Sequence, residues 1–176
     1  MVLFGAGSVV FAIATSSAFL TLPVFFTDVL NLTPSETFAV FIVRSLIGAF
    51  SYVIVERWLS EWRDGDAVKL ASLTRALLVL LLIPLAMLPF LPIMASVVLS
   101  AVAFSWSLYT VDRSTIIMAY ASEGSTGIHG ALRRGGSMVG GILSGLIPSL
   151  FGFNILFILA SMLFAVAFMM FWRSMK

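Results

Sequence analysis

Cysteine is absent from the 176 residues, and histidine occurs once, at His129. Disulfides, thiol catalysis and Cys-based metal sites are therefore excluded, and with no His or Cys partners for His129 no metal site is expected. Charge is scarce too. Asp, Glu, Lys and Arg make up 10% of the chain, where a water-soluble domain carries about 25%. What is there instead is apolar: 61% of residues are hydrophobic and the mean hydropathy is +1.13. That composition belongs to an integral membrane protein, in which lipid takes over much of the burial a soluble core provides. The net charge of +2 is spread through loops, so there is no basic footprint for nucleic acid and no expected cofactor site. The N-terminus lacks a basic region and runs uncharged from Val2 to Phe26, too long for a cleavable signal core and long enough to span.

A helix rises about 1.5 Å per residue and needs roughly 20 residues to cross the hydrocarbon. The first span is Val2 to Phe26, Thr27 to Pro34 is a turn, and Ser35-Glu36-Thr37 opens a second span to Val55. Glu56 to Asp66 is polar. Ala76 to Val111 is uncharged and too long for one crossing, and Pro89-Phe90-Leu91-Pro92 near its middle divides it into spans 3 and 4. Gly135 to Trp172 divides likewise at Pro148, Gly152 and Asn154 into spans 5 and 6. The expectation is one all-α, polytopic domain of six transmembrane helices over residues 1–176.

Six crossings place both termini on one side. Arg57, Arg63, Lys69, Arg113, Arg133, Arg134, Arg173 and Lys176 lie on that side, and the three opposite turns carry no Lys or Arg. The positive-inside rule makes the termini cytoplasmic in a multi-pass protein of the cell membrane. Trp58, Trp62 and Trp172 suit interfacial anchoring. Span 3 from Ala76 to Phe90 and span 6 from Ile155 to Phe171 are almost purely apolar and read as lipid-facing, whereas spans 1, 2, 4 and 5 carry hydroxyls and Arg44. The order inner, inner, outer occurs twice. Three crossings flip the second unit, giving two inverted three-helix repeats, a layout found in many transporters.

The stretch Asp112-Arg113, Ala121 to Gly127, Gly130, Arg133-Arg134-Gly135-Gly136, Gly140-Gly141, Gly145, Pro148 and Gly152-Phe153 resembles the major facilitator superfamily between its tenth and eleventh helices. The whole chain resembles helices seven to twelve, the C-terminal half of a twelve-helix transporter. The resemblance implies movement of a small-molecule substrate by alternating access, and a partner that is a second six-helix half or a second copy of the chain, alongside the lipid bilayer. It also implies that span 4 lines the central cavity. At the first cytoplasmic loop, Glu56-Arg57 and Asp64-Gly65 with Lys69 form a degenerate version of the family's Gly, Asp, Gly and paired basic residues.

Candidate binding residues are Arg44, Thr15, Ser16, Trp106 and Ser107. Arg44 lies about nine residues, roughly 14 Å, into span 2, and a midplane guanidinium needs an anion, a cavity or a structural partner. Trp106 could stack on a solute and Ser107 could orient it; equally, helical serines bond their own backbone and Trp packs. Gly136-x-x-x-Gly140 and Gly141-x-x-x-Gly145 form a helix-packing face. Glu56 and Arg57 with Asp112 and Arg113 are a candidate cytoplasmic gate, with Glu123, Arg133, Arg134, Asp64 and Asp66 nearby; solvated loop charge is the plain alternative. The leading expectation is a non-enzymatic secondary-transporter half for a small organic solute, with Arg44 pointing to an anionic one. A non-transporting assembly subunit competes with it, as does an intramembrane serine protease built on Ser144, which would need a base that only His129 could supply.

The topology is open to a direct check. In Thr33→Cys, Ser60→Cys and Ser125→Cys chains on intact cells, an impermeant maleimide should label position 33 and spare 60 and 125. Fast labelling at 125 with none at 33 would invert the assignment.

Overall fold

The computed structural model describes residues 2–59, 62–63, 65–85, 91–120 and 125–175. The expected turn at Pro89-Phe90, the loop from Ala121 to Gly124 with Glu123, and Ser60, Asp64 and Lys176 lie outside the described residues. The rest is helix: α1 Val2–Phe19, α2 Leu22–Asp28, α3 Pro34–Leu59, α4 Asp66–Leu85, α5 Leu91–Tyr120, α6 Ser125–Phe151 and α7 Phe153–Ser174. Five helical stretches are long and apolar enough to cross a membrane: Val2–Asp28, Pro34–Leu59, Asp66–Leu85, Leu91–Ala119 and Phe153–Ser174. The protein is membrane-embedded and multi-pass. Helix α6, at 27 residues, has the length, but its glycines, serines and Arg133-Arg134 dilute its apolarity.

The termini of these helices follow from local chemistry. The first span breaks after Phe19 because Pro23 has no N–H to offer the Phe19 carbonyl; α2 restarts with that proline in its first turn, where it costs nothing. Helix α3 begins one residue before the expected Ser35, with Thr33 outside and Pro34 first. The Thr33 N–H donates to Glu36 Oε2 at 2.8 Å and the Glu36 N–H returns a bond to Thr33 Oγ1 at 3.3 Å, a reciprocal capping box. Between α6 and α7 stands one residue, Gly152, at φ +83°. That backbone conformation favours glycine, so the break falls where expected while Pro148 stays inside α6.

Helix α4 departs most from expectation. It starts at Asp66, ten residues before Ala76, because its first turn is capped from another helix. Asp112 of α5 accepts the Gly65 N–H at 3.1 Å on one carboxylate oxygen and the Val68 N–H at 2.8 Å on the other. A carboxylate against free amides at the positive end of a helix is stabilising. The earlier start puts Arg75 halfway along α4.

Packing runs α6 on α1, α1 on α7, α7 on α4, α4 on α5 and α5 on α3, with α6 also touching α7 and α2 lightly touching α3. Helices α4 and α7, expected to face lipid, do so on one side only. Phe157, Ala160, Phe164, Ala167 and Phe171 form the buried stripe of α7, at the three-and-four spacing of a packed helix seam. Ser161 donates across to the Ala76 carbonyl at 2.8 Å. The least covered helices are α3, which buries Thr37, Val40, Ser51 and Val55, and α6, whose buried line among the described residues is Gly136, Gly140 and Ser144.

Because lipid tails are as apolar as leucine, helix association here depends on close fit and polar ties. Gly136 and Gly140 supply the fit. A Cβ at Gly136 would lie 2.8 Å from the Val9 carbonyl oxygen, and one at Gly140 would collide with the Ile13 carbonyl and come within 2.8 Å of the Ser16 Cβ. Gly141 meets only Leu20, at 3.6 Å, and Gly145 has open space. The close approach to α1 is thus made by Gly136 and Gly140. Gly140→Leu should force α6 off α1 and cost roughly 1–3 kcal/mol, read as a lower unfolding temperature in detergent, while Gly145→Ala should leave it within error.

Candidate functional site

The buried stripe of α4 contains Val68, Ser72, Arg75, Val79 and Leu82, so a guanidinium occupies a position that the helical repeat assigns to a hydrophobe. Arg75 is 1% exposed. Its Nε donates to Ser105 Oγ at 3.1 Å, one terminal nitrogen to Thr15 Oγ1 at 3.1 Å and the other to the Val102 carbonyl at 3.3 Å. Four rings surround it: Trp106 at 4.9 Å, Phe19 at 5.2 Å, Phe11 at 5.3 Å and Phe164 at 5.8 Å from the guanidinium carbon. A buried cation normally needs a carboxylate; among the described residues the only salt bridge joins Lys69 to Asp66 at the end of α4. Here hydrogen bonds to a charged donor and desolvated cation–π contacts, each about 1–3 kcal/mol, stand in for it.

Trp106 carries a second cation. The Arg133 guanidinium lies 5.8 Å from its ring. Arg133 and Arg134 were expected in a cytoplasmic loop, as was His129; all three lie in α6, since glycine is tolerated in membrane helices whose neighbours repay the lost propensity. Arg133 is half-buried and Arg134 exposed. The His129 ring packs on Gly5. Beneath the indole, Phe11 and Tyr109 stack with ring centroids 3.8 Å apart, and Trp106 sits 5.9 Å from Tyr109. With Arg75, Arg133, Phe11 and Tyr109 around it, the indole acts as a spacer between two cations.

Arg44, half-buried on α3, lies 6.0 Å from the Phe41 ring, and its Nε has no hydrogen-bond partner. It is within electrostatic reach of Arg75. Of the other expected binding residues, Thr15 and Trp106 meet at Arg75. Ser107 is buried and donates to the Ala103 carbonyl at 3.4 Å and the Gly48 carbonyl at 3.5 Å, so its hydroxyl ties α5 to α3. Ser16 points elsewhere, toward Gly140 on α6, because neighbouring residues of a helix sit about 100° apart.

The residues of the expected gate lie on α3 and α5. Glu56 and Arg57 are exposed at the end of α3, Asp112 is buried against the first turn of α4, and Arg113 is half-buried with its Nε unpartnered. Arg113 lies within electrostatic reach of Tyr109 and Arg133. Among the described residues, no group of three or more His, Cys, Asp or Glu side chains could hold a metal ion. Arg75 and Tyr109 were missed as the hub of the bundle. The available signal was an arginine in register with an apolar stripe, obscured because the stripe seemed to start at Ala76.

No family model, curated protein or solved structure matches the chain. The hub generates a stability test. Thr15→Val and Ser105→Ala each remove an acceptor from a buried guanidinium, so each should cost about 1–3 kcal/mol in detergent unfolding, whereas Ser149→Ala, an exposed hydroxyl bonded to its own helix, should cost almost nothing. Equal effects at all three positions would remove the hub role.

Proposed function

We propose that the chain is one half of a secondary transporter of the major facilitator kind, moving a small organic solute across the cell membrane by alternating access. The observation that carries the reading is the pair Arg44 and Arg75: two cations near mid-helix, within electrostatic reach of one another, neither in a salt bridge among the described residues. Intramembrane cations of this kind mark solute or ion paths, and their sign favours an anionic solute.

The helix pairing supports six crossings arranged as two inverted repeats. If the first span with α3 and α4 is exchanged for α5, α6 and α7, the α1–α6 pair maps onto α5–α3, α1–α7 onto α5–α4, and α4–α7 onto itself. Three crossings per unit then make the repeats antiparallel in the membrane. The sparse burial of α3 and α6 suits a partner covering them, a second six-helix half or a second copy of this chain, with the termini in the cytoplasm. The protease reading draws no support: Ser144 donates to the Gly141 carbonyl at 2.6 Å, and His129 is packed against Gly5. An assembly subunit without transport remains the competing reading, and uptake decides between the two.

In proteoliposomes made from the chain in its native assembly, Arg44→Lys should keep the charge, lose the planar fork and cut uptake of carboxylate- or phosphate-bearing solutes by roughly tenfold or more, the scale of one charged hydrogen bond. Arg44→Gln should abolish it, with unfolding temperature nearly unchanged in both. Normal uptake by both variants, or failure of both to fold, would leave Arg44 a structural residue.

A further inference from the structure

The cytoplasmic side of the aromatic stack holds a set of hydrogen-bond donors that the rest of the bundle leaves unused. Tyr109 is fully buried with its hydroxyl beside that of Ser8, 3% exposed, and the two have only each other to turn to for a hydrogen bond. One turn further along α5, the buried Nε of Arg113 is without a partner. From α6, Arg133 reaches over Trp106 toward the same place, and Arg75, Arg113 and Arg133 all act electrostatically on the Tyr109 hydroxyl. An orphaned buried donor costs about 1–3 kcal/mol, and like charges at this distance add to that. Two half-buried cations, one with an unpartnered buried Nε, beside two buried hydroxyls and with no carboxylate salt-bridged to them among the described residues, amount to a standing deficit of negative charge.

The geometry leaves a way in. Among the described residues, helices α5 and α6 share little direct packing, and Arg133 on Trp106 is one side-chain bridge between them. Arg113 on α5 and Arg133 on α6 are both half-buried, and the Tyr109 and Ser8 side chains are covered. The donors are two hydroxyls and two guanidinium groups, with no carboxylate among the described residues paired to either arginine. A single carboxylate would offset one of the two charges. A tetrahedral oxyanion with two charges and several acceptor oxygens offsets both and can accept from all four side chains.

We propose that Ser8, Tyr109, Arg113 and Arg133 form a binding site for a phosphoryl oxyanion, entered between α5 and α6. The site is distinct from Arg44 and stands whether or not the chain transports. Inorganic phosphate, the phosphate group of a small organic solute and a phospholipid headgroup share the chemistry it recognises.

The test is equilibrium binding of labelled inorganic phosphate to the full chain in detergent, with variants and competitors. Binding is expected, with sulfate competing and acetate not. Arg113→Gln and Arg133→Gln should each weaken it about tenfold or more, with Lys at either position restoring part of the loss, and Tyr109→Phe should weaken it severalfold. Arg134→Gln, exposed one residue away, should change nothing. Tyr109→Phe supplies a second readout: without phosphate, deleting this hydroxyl should leave the protein as stable or more stable, whereas a structural hydroxyl would lower the unfolding temperature. No phosphate binding, equal competition by acetate, or unchanged affinity in both arginine variants would overturn the proposal. Competition by a water-soluble phosphate monoester supports a free solute as the source, and competition only by phosphatidic acid in mixed micelles supports a headgroup. Phosphate binding with no uptake of any carboxylate- or phosphate-bearing solute keeps the site and removes the transport reading; uptake of a carboxylate-bearing solute with no phosphate binding does the reverse.

Discussion

A guanidinium dissolved in aromatic rings holds this bundle together. Arg75 is buried without a carboxylate, and every group that makes this tolerable comes from a different part of the chain: Thr15, Phe11 and Phe19 from α1, Val102, Ser105 and Trp106 from α5, and Phe164 from α7. In a membrane, helices gain little by hiding apolar surface from lipid that is equally apolar. A cation that finds partners only when four helices have come together penalises every arrangement that leaves it in hydrocarbon. It therefore selects a packing as well as stabilising one, and the glycine contacts of α1 with α6 add an element that needs no charge of its own.

The distribution of acids sharpens the point. Asp112 is the only buried carboxylate among the described residues, and its two oxygens face the Gly65 and Val68 amides. Asp28, Glu36, Glu56 and Asp66 sit at or near helix ends. Arg44 and Arg75, mid-helix, are consequently surrounded by hydroxyls and aromatic rings, with Arg113 and Arg133 on one side of them. Fixed positive charge in a low-dielectric interior draws anions and repels cations over distances that bulk water would screen.

Much of the helical layout was legible in the sequence because the signals are local. Uncharged runs of span length and the glycine break at 152, with its positive φ, act within a few residues of where they stand; the Pro23 break and the Thr33–Glu36 box are equally local, though the expected first span ran unbroken to Phe26 and the expected start of the second was Ser35. What failed was non-local. The start of α4 depends on a carboxylate 44 residues away from Val68, and no window over the α3–α4 loop contains it. Arg133 looked like loop because charge and glycine suggest solvent; only the position of Trp106 on another helix shows that it turns inward. Likewise Ser107 has the composition of a binding residue, and only the Gly48 carbonyl opposite shows that its hydroxyl is already engaged.

Helices α4 and α5 are tied at two depths, by Asp112 on the first turn of α4 and by Arg75 on Ser105 and Val102. One tie would act as a pivot; two, separated along the axis, resist both sliding and screw rotation. The pair is in effect a single stiff beam. Helix α3 packs on α5 at least as extensively, but among the described residues its polar tie is the long Ser107 contact, so sliding of α3 along the beam would work against packing alone, carrying Arg44 with α3 and leaving Arg75 fixed in the beam.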